Sequence, residues 1–165
     1  MNQLSKMNNF ILALTFLSLL GCGLVAGIFF GFSNFVMKSL GRLPPAQGVA
    51  AMQNINVDVI NGCFMLAFMG TAVCCLALAI SCFFDWVKPG SAYLLAGSLF
   101  YLVGTILVTM VFNVPLNNTL AAVDPTSAGA IQVWSMYLKS WVLWNHVRTI
   151  AALAATACFG FALIR

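Results

Sequence analysis

The stretch WVLWNHVRTIAALAATACFGFALI, Trp141–Ile164, decides the fold. From Thr149 to Ile164 it holds no charged side chain. As a helix that part rises about 24 Å, close to the roughly 30 Å of a bilayer's hydrocarbon core. Its N-terminal mouth is different. Trp141, Trp144, Asn145 and Arg148 follow the i, i+3, i+4, i+7 spacing of one helical face. A segment built for lipid therefore carries an amide and a cation just inside one membrane face. The arginine can snorkel outward and the tryptophans can serve as interfacial anchors. The other reading is a polar pocket under that face.

Working outward, three more apolar runs appear, about Phe10–Phe32, Gly62–Phe84 and Ser91–Phe112. Each is near the roughly 20 residues that a spanning helix needs. The 165-residue chain is 62% hydrophobic and 6% charged, whereas soluble domains carry about 25% charged residues. Lipid offers backbone groups no partner, so spanning segments of this length form helices. The expected fold is all-α: one integral membrane four-helix bundle over residues 1–165. Its helices are expected at about 10–34, 46–84, 91–113 and 130–164, with an interfacial helix before helix 2 and a short helix before helix 4.

The net charge of +4 comes from seven Lys/Arg against three acids. These lie mostly between apolar runs, as membrane-surface anchors do, and do not form a nucleic-acid patch. Six cysteines fall in apolar runs without a CxxC pair. They read as small hydrophobes, which counts against disulfide-exchange chemistry. Lys6 followed by FILALTFLSLL and Gly21-Cys22 mimics a lipoprotein signal, but the apolar run continues as GLVAGIFFGF. A cleaved signal needs only a short apolar core, so a retained helix is expected. Gly23, Gly27 and Gly31 make a stripe on that helix, expected to let a neighbour approach closely.

Between helices 1 and 2, Pro44-Pro45 suits a helix start. Met52, Ile55 and Val59 then oppose Gln53, Asn54 and Asp58, as on an amphipathic interfacial helix. The DWVKPGS link after helix 2 is turn-like. Pro115 is expected to end helix 3 and turn Asn113 and Asn117 toward the polar end.

Helices in a four-span bundle alternate direction. The end of helix 1, the start of helix 2, the end of helix 3 and the start of helix 4 then share one side. On that side lie Ser33, Asn34, Gln53, Asn54, Asn56, Asn61, Asn113, Asn117, Asn118, Asn145, His146 and Arg148. Buried amides need partners, and polar groups at membrane depth mark function. A hydrogen-bonding cavity is the sharper reading, and ordinary loops and caps the plainer one. Candidate catalytic residues are His146, Arg148 and Asn145; candidate substrate contacts are Gln53, Asn56, Asn113, Asn117, Trp141, Trp144, Met52 and Phe30. His146 is the only histidine, the side chain that exchanges protons near neutrality. It stands about 200° around an ideal helix from Arg148, so both face one narrow cavity only if the helix is distorted.

The blocks IFFGFSNFVM, LPPAQGVAAMQNIN, NVPLN and WNHVRT, in this order, resemble the anthrone oxygenase-like family of small four-helix membrane proteins. The likeness runs from about Gly23 to Thr149. Met52, Gln53, Asn56, Asn113, Pro115, Asn117, Trp144, Asn145 and Arg148 match its pattern, whereas Lys38 stands where a proline is expected. The resemblance implies oxidation of an anthrone-type, lipophilic phenolic substrate by dioxygen. On that reading His146 is the base, and Arg148 with Asn145 or Asn117 stabilises the oxyanion. Phe29, Phe30, Phe32 and Trp144 supply aromatic walls. No nucleotide loop, HExxH or CxxCH is present, so no organic cofactor and no metal are expected. Expected partners are the bilayer and a lipophilic small molecule, with no nucleic acid and homo-oligomerisation left open. The expected location is the bacterial inner membrane with cytoplasmic termini. The alternative is a non-enzymatic membrane protein that binds a lipophilic molecule or supports a partner.

Overall fold

The computed structural model describes residues 9–84 and 90–165. Lys6 and the Asp85–Pro89 part of the turn-like link lie outside the described residues. Those described form five helices and no strand. Helix α1 spans Asn9–Leu40, α2 Pro45–Asp58, α3 Gly62–Phe84, α4 Ser91–Ala121 and α5 Ala130–Leu163. All but α2 are long and apolar enough to cross a membrane, and the chain is an integral membrane helical bundle.

The main core joins α1, α3, α4 and α5 around Cys22, Val25, Phe29, Phe68, Leu78, Tyr101 and Phe159. Its cysteines are free thiols, packed as apolar side chains. Tyr101 lies wholly inside, and its hydroxyl donates to Phe68 O at 3.0 Å. A second, smaller core lies where α2 covers α5 and the C-terminal end of α4. It contains Met37, Val49, Met52, Leu120, Trp134, Tyr137 and Trp141.

Close helix approach depends on glycines other than the expected stripe. A Cβ on Gly27 would meet nothing, and one on Gly23 only ordinary contact with Thr156. A Cβ on Gly104 would collide with Ala151 of α5, one on Gly21 with Thr71 of α3, and one on Gly48 with the Trp134 indole. The 23–27–31 stripe therefore does not seat a neighbour inside this chain. Four-residue spacing puts these glycines on one side, but that side is turned partly outward.

Two further expectations need correction. The helix expected over 46–84 is broken at 59–61, because Asn61 caps α3: its Oδ1 accepts from Phe64 N at 3.0 Å, and its Nδ2 donates to Asp58 O at 2.9 Å. The segment before helix 4 runs into it as expected, forming the first turns of α5 with no break before Trp141. Helix α4 does not end at Pro115 but continues to Ala121. The preceding turn, Thr109–Asn113, is π-helical, and Val114 N donates back to Thr109 O. A widened turn of this kind accommodates a proline ring that would clash in a regular α-turn.

Candidate functional site

The site forms where α4 and α5 face each other below α2. Thr105, Thr109, Asn113 and Asn117 recur every four residues on α4, and all four address α5. Thr105 Oγ1 donates to Arg148 O at 3.5 Å, and Arg148 Nη1 donates to Thr109 Oγ1 at 3.1 Å. Asn113 Nδ2 donates to Trp141 O at 3.2 Å, and Trp141 Nε1 donates to Asn117 Oδ1 at 2.9 Å.

Asn145 ties α5 to α1. Its Nδ2 donates to Phe29 O at 2.7 Å and to Ser33 Oγ at 2.6 Å. Ser33 belongs to a π-helical turn, Phe32–Val36, where the regular ladder of α1 is interrupted. Such interruptions cluster at functional positions. The Asn145 Oδ1 is left to accept from Arg148 Nη2 at 2.6 Å.

Arg148 is 4% exposed and does not snorkel. Its guanidinium lies 4.1 Å from the centroid of the Phe29 ring and 5.3 Å from that of Trp141, within cation–π range. Its hydrogen-bond partners are neutral, and among the described residues no carboxylate pairs with it. Its Nε is buried without a partner among the described residues, as is Asn113 Oδ1. Asp124, outside the spans, is committed to its own turn: the Thr126 amide at 2.8 Å and the Thr126 hydroxyl at 2.8 Å hold its carboxyl below the usual range.

Beside this arginine opens a cavity of about 290 Å³. Phe29 and Phe32 of α1, Phe64 and Phe68 of α3 and Trp141 of α5 give it aromatic walls. Met52, Ile55 and Asn56 of α2 and Thr109, Met110 and Asn117 of α4 complete it beside Arg148. Two of its wall residues, Ile60 and Met110, are 72% and 64% exposed. Its rim therefore reaches the outer, lipid-facing surface of the bundle.

The structure brings Met52, Asn56, Asn117, Trp141 and Arg148 to one cavity, with Asn145 directly behind the guanidinium. It does not bring the others there. His146 is exposed on the outer face of α5 and absent from the cavity wall; the helix is not distorted between it and Arg148, so the two diverge. Phe30 is 54% exposed and its neighbours Phe29 and Phe32 take its place. Trp144 stacks on Phe112 with ring centroids 3.5 Å apart. Gln53 Nε2 closes the end of α4 by donating to Leu120 O and Val123 O, both at 2.9 Å. Asn113 is buried between α4 and α5. The sequence reading missed Thr109 and Tyr137. The four-residue polar repeat on α4 would have indicated the first. The second extends the Trp141–Asn145–Arg148 face back by one turn.

Compared with known proteins, residues 64–158 match the family model described as anthrone oxygenase. This is more than half of the chain and includes the α4–α5 ladder and Arg148. No curated protein and no solved structure matches.

Proposed function

The chain belongs to the anthrone oxygenase family, and on that premise we propose that it oxidises a lipophilic anthrone-type ketone with dioxygen inside the membrane. The single observation that carries this reading is Arg148, a buried cation with neutral partners on the wall of an aromatic slot. A cation at membrane depth is costly. Its position is explained if negative charge develops beside it during the reaction.

Loss of a proton from an anthrone's methylene places negative charge on the ketone oxygen. A guanidinium already fixed by Asn145, Thr109 and the Phe29 ring stabilises that charge without reorganising. The enolate then reacts with dioxygen at the former methylene carbon, and loss of water leaves the second carbonyl. The balance is anthrone plus dioxygen to anthraquinone plus water. Oxidation of the methylene to a carbonyl releases the four electrons that dioxygen takes up. His146 is too far round the helix to remove the proton, which in this reading passes to water at the cavity mouth. Ile60 and Met110 at the rim let a substrate dissolved in lipid reach the slot.

The test is anthrone-dependent oxygen uptake by the purified protein in lipid nanodiscs, with anthraquinone absorbance followed in parallel. Equal molar oxygen consumption and quinone formation, above the rate of empty nanodiscs, supports the proposal. Rates equal to those of empty nanodiscs overturn it.

A further inference from the structure

The cavity has a second polar pole, away from Arg148. Trp141 Nε1 and the Tyr137 hydroxyl both donate to Asn117 Oδ1, at 2.9 and 2.8 Å. An indole N–H can only donate, so the atom it meets must be the amide oxygen. The orientation of the Asn117 amide follows from chemistry. Its Nδ2 is left as a donor, and it has no partner among the described residues. Asn56 stands beside it: its Nδ2 donates to the Tyr137 hydroxyl at 3.5 Å, which leaves its Oδ1 as an unused acceptor. Both asparagines line the cavity. Tyr137 holds the two amides together and is itself stacked between Trp134 and Trp141, with centroids 5.8 and 5.9 Å away.

One donor and one acceptor, on two cavity-lining amides that share the Tyr137 hydroxyl, match a ligand hydroxyl, which accepts and donates at once. The other pole is a cation, which matches a carbonyl oxygen or its anion. The Arg148 guanidinium lies 5.3 Å from the Trp141 ring centroid and Trp141 Nε1 reaches Asn117 Oδ1 at 2.9 Å, so the indole spans the distance between the two poles. The space between them is walled by Phe29, Phe32 and Phe68. We infer that Asn56 and Asn117 form a specificity-determining pair for a phenolic hydroxyl on the ring edge remote from the reacting carbonyl. The ligand class is a flat, fused aromatic ketone, hydroxylated at its far end. It hangs from the interfacial pole with its ketone directed to Arg148. This inference rests on the proposed reading for the identity of the ring system, although the amide pair is a property of the cavity itself.

The experiment is equilibrium binding rather than turnover, so that the two proposals fail separately. The probes are anthraquinone and 2-hydroxyanthraquinone, titrated against the protein in nanodiscs by quenching of tryptophan fluorescence, with empty nanodiscs correcting for partition. The parent is expected to bind the hydroxylated probe about 10-fold more tightly, the worth of one well-made buried hydrogen-bond pair. Asn117→Asp keeps an oxygen for Trp141 and Tyr137 but replaces the free donor by an acceptor. Asn56→Leu removes the acceptor and breaks only the long bond to Tyr137. Each variant is expected to bring the affinity ratio below about threefold. A parent ratio below twofold overturns the inference, even if anthrone is oxidised. A parent ratio retained in both variants overturns it as well. A 10-fold ratio that collapses in the variants sustains it, even if no oxygen is consumed.

Discussion

Replacing Arg148 by methionine separates the two roles a buried arginine can have, strut and reagent. The guanidinium donates to Thr109 Oγ1 and Asn145 Oδ1. Thr109 keeps its own bond to Thr105 O at 2.7 Å, so removal leaves only the Asn145 oxygen without a partner. An orphaned buried acceptor costs about 1–3 kcal/mol. Against this, a cation in a spanning helix costs up to about 2.5–3.5 kcal/mol on insertion scales, the value at the bilayer centre, and methionine carries none. The two nearly cancel, so the fold should change in stability by less than about 2 kcal/mol. At about 2–4 °C per kcal/mol, that is a melting shift of a few degrees. Catalysis should respond differently, because removing an oxyanion donor lowers kcat about 10²–10³-fold. The assay pairs thermal melting in nanodiscs with anthrone-dependent oxygen uptake on the same preparation. A melting temperature near the parent's with kcat down at least 100-fold is the expected result. A variant that oxidises anthrone at the parent's rate refutes the reasoning. So does one that melts more than about 10 °C lower, for then the arginine is a strut.

Other substitutions test neighbouring parts of the reading. His146→Ala should keep the parent's turnover and pH profile, since the imidazole is on the outer face; steady-state kinetics between pH 6 and 9 check this, and a rate loss above 10-fold would restore it as the base. Asn145→Leu strands Phe29 O, Ser33 Oγ and Arg148 Nη2 together; denaturant or thermal unfolding should show a loss of about 3 kcal/mol or more, and turnover should fall with it. Gly104→Ala forces α4 away from Ala151 and should cost about 1–3 kcal/mol. Gly27→Leu, with open space around it, should leave the unfolding midpoint unchanged; a midpoint as low as that of Gly104→Ala would place a partner on that stripe.

Much of the fold was legible because its causes are local. Four long apolar runs declare spanning helices, and Pro44-Pro45 marks the start of α2. The Trp141–Asn145–Arg148 face was readable from helical spacing alone, and so was the divergence of His146. Other features depend on contacts that a single segment does not contain. Whether Gln53 binds a ligand or closes the end of α4 is decided 67 and 70 residues away, at Leu120 and Val123. Gly104 and Gly27 look alike in sequence, and only the position of Ala151 distinguishes them. Pro115 was read by its local rule, as a helix end. The rule failed because a wider turn before the ring relieved the clash that usually ends the helix.

That wider turn also bears on why the site is here. Residues four apart on a regular α-helix advance about 400°, so a four-residue repeat drifts about 40° per step. Over three steps, from Thr105 to Asn117, the drift would be about 120°, enough to turn the last side chain off the α5 face. The π-helical segments Leu102–Leu107 and Thr109–Asn113 take more residues per turn and so reduce the advance. All four polar side chains then meet α5, at Arg148, Trp141 and Tyr137. On the opposite wall the π-helical turn of α1 carries Ser33 beside Asn145. Each irregular turn therefore has a hydrogen bond that joins its helix to α5. Together they fix the Arg148 and Asn117 poles on the two sides of one aromatic slot. A bundle of regular α-helices with the same residues would scatter the ladder around α4 and leave Arg148 with fewer partners. The costly irregularities of the backbone and the costly buried cation thus occupy the same place, and each accounts for the other.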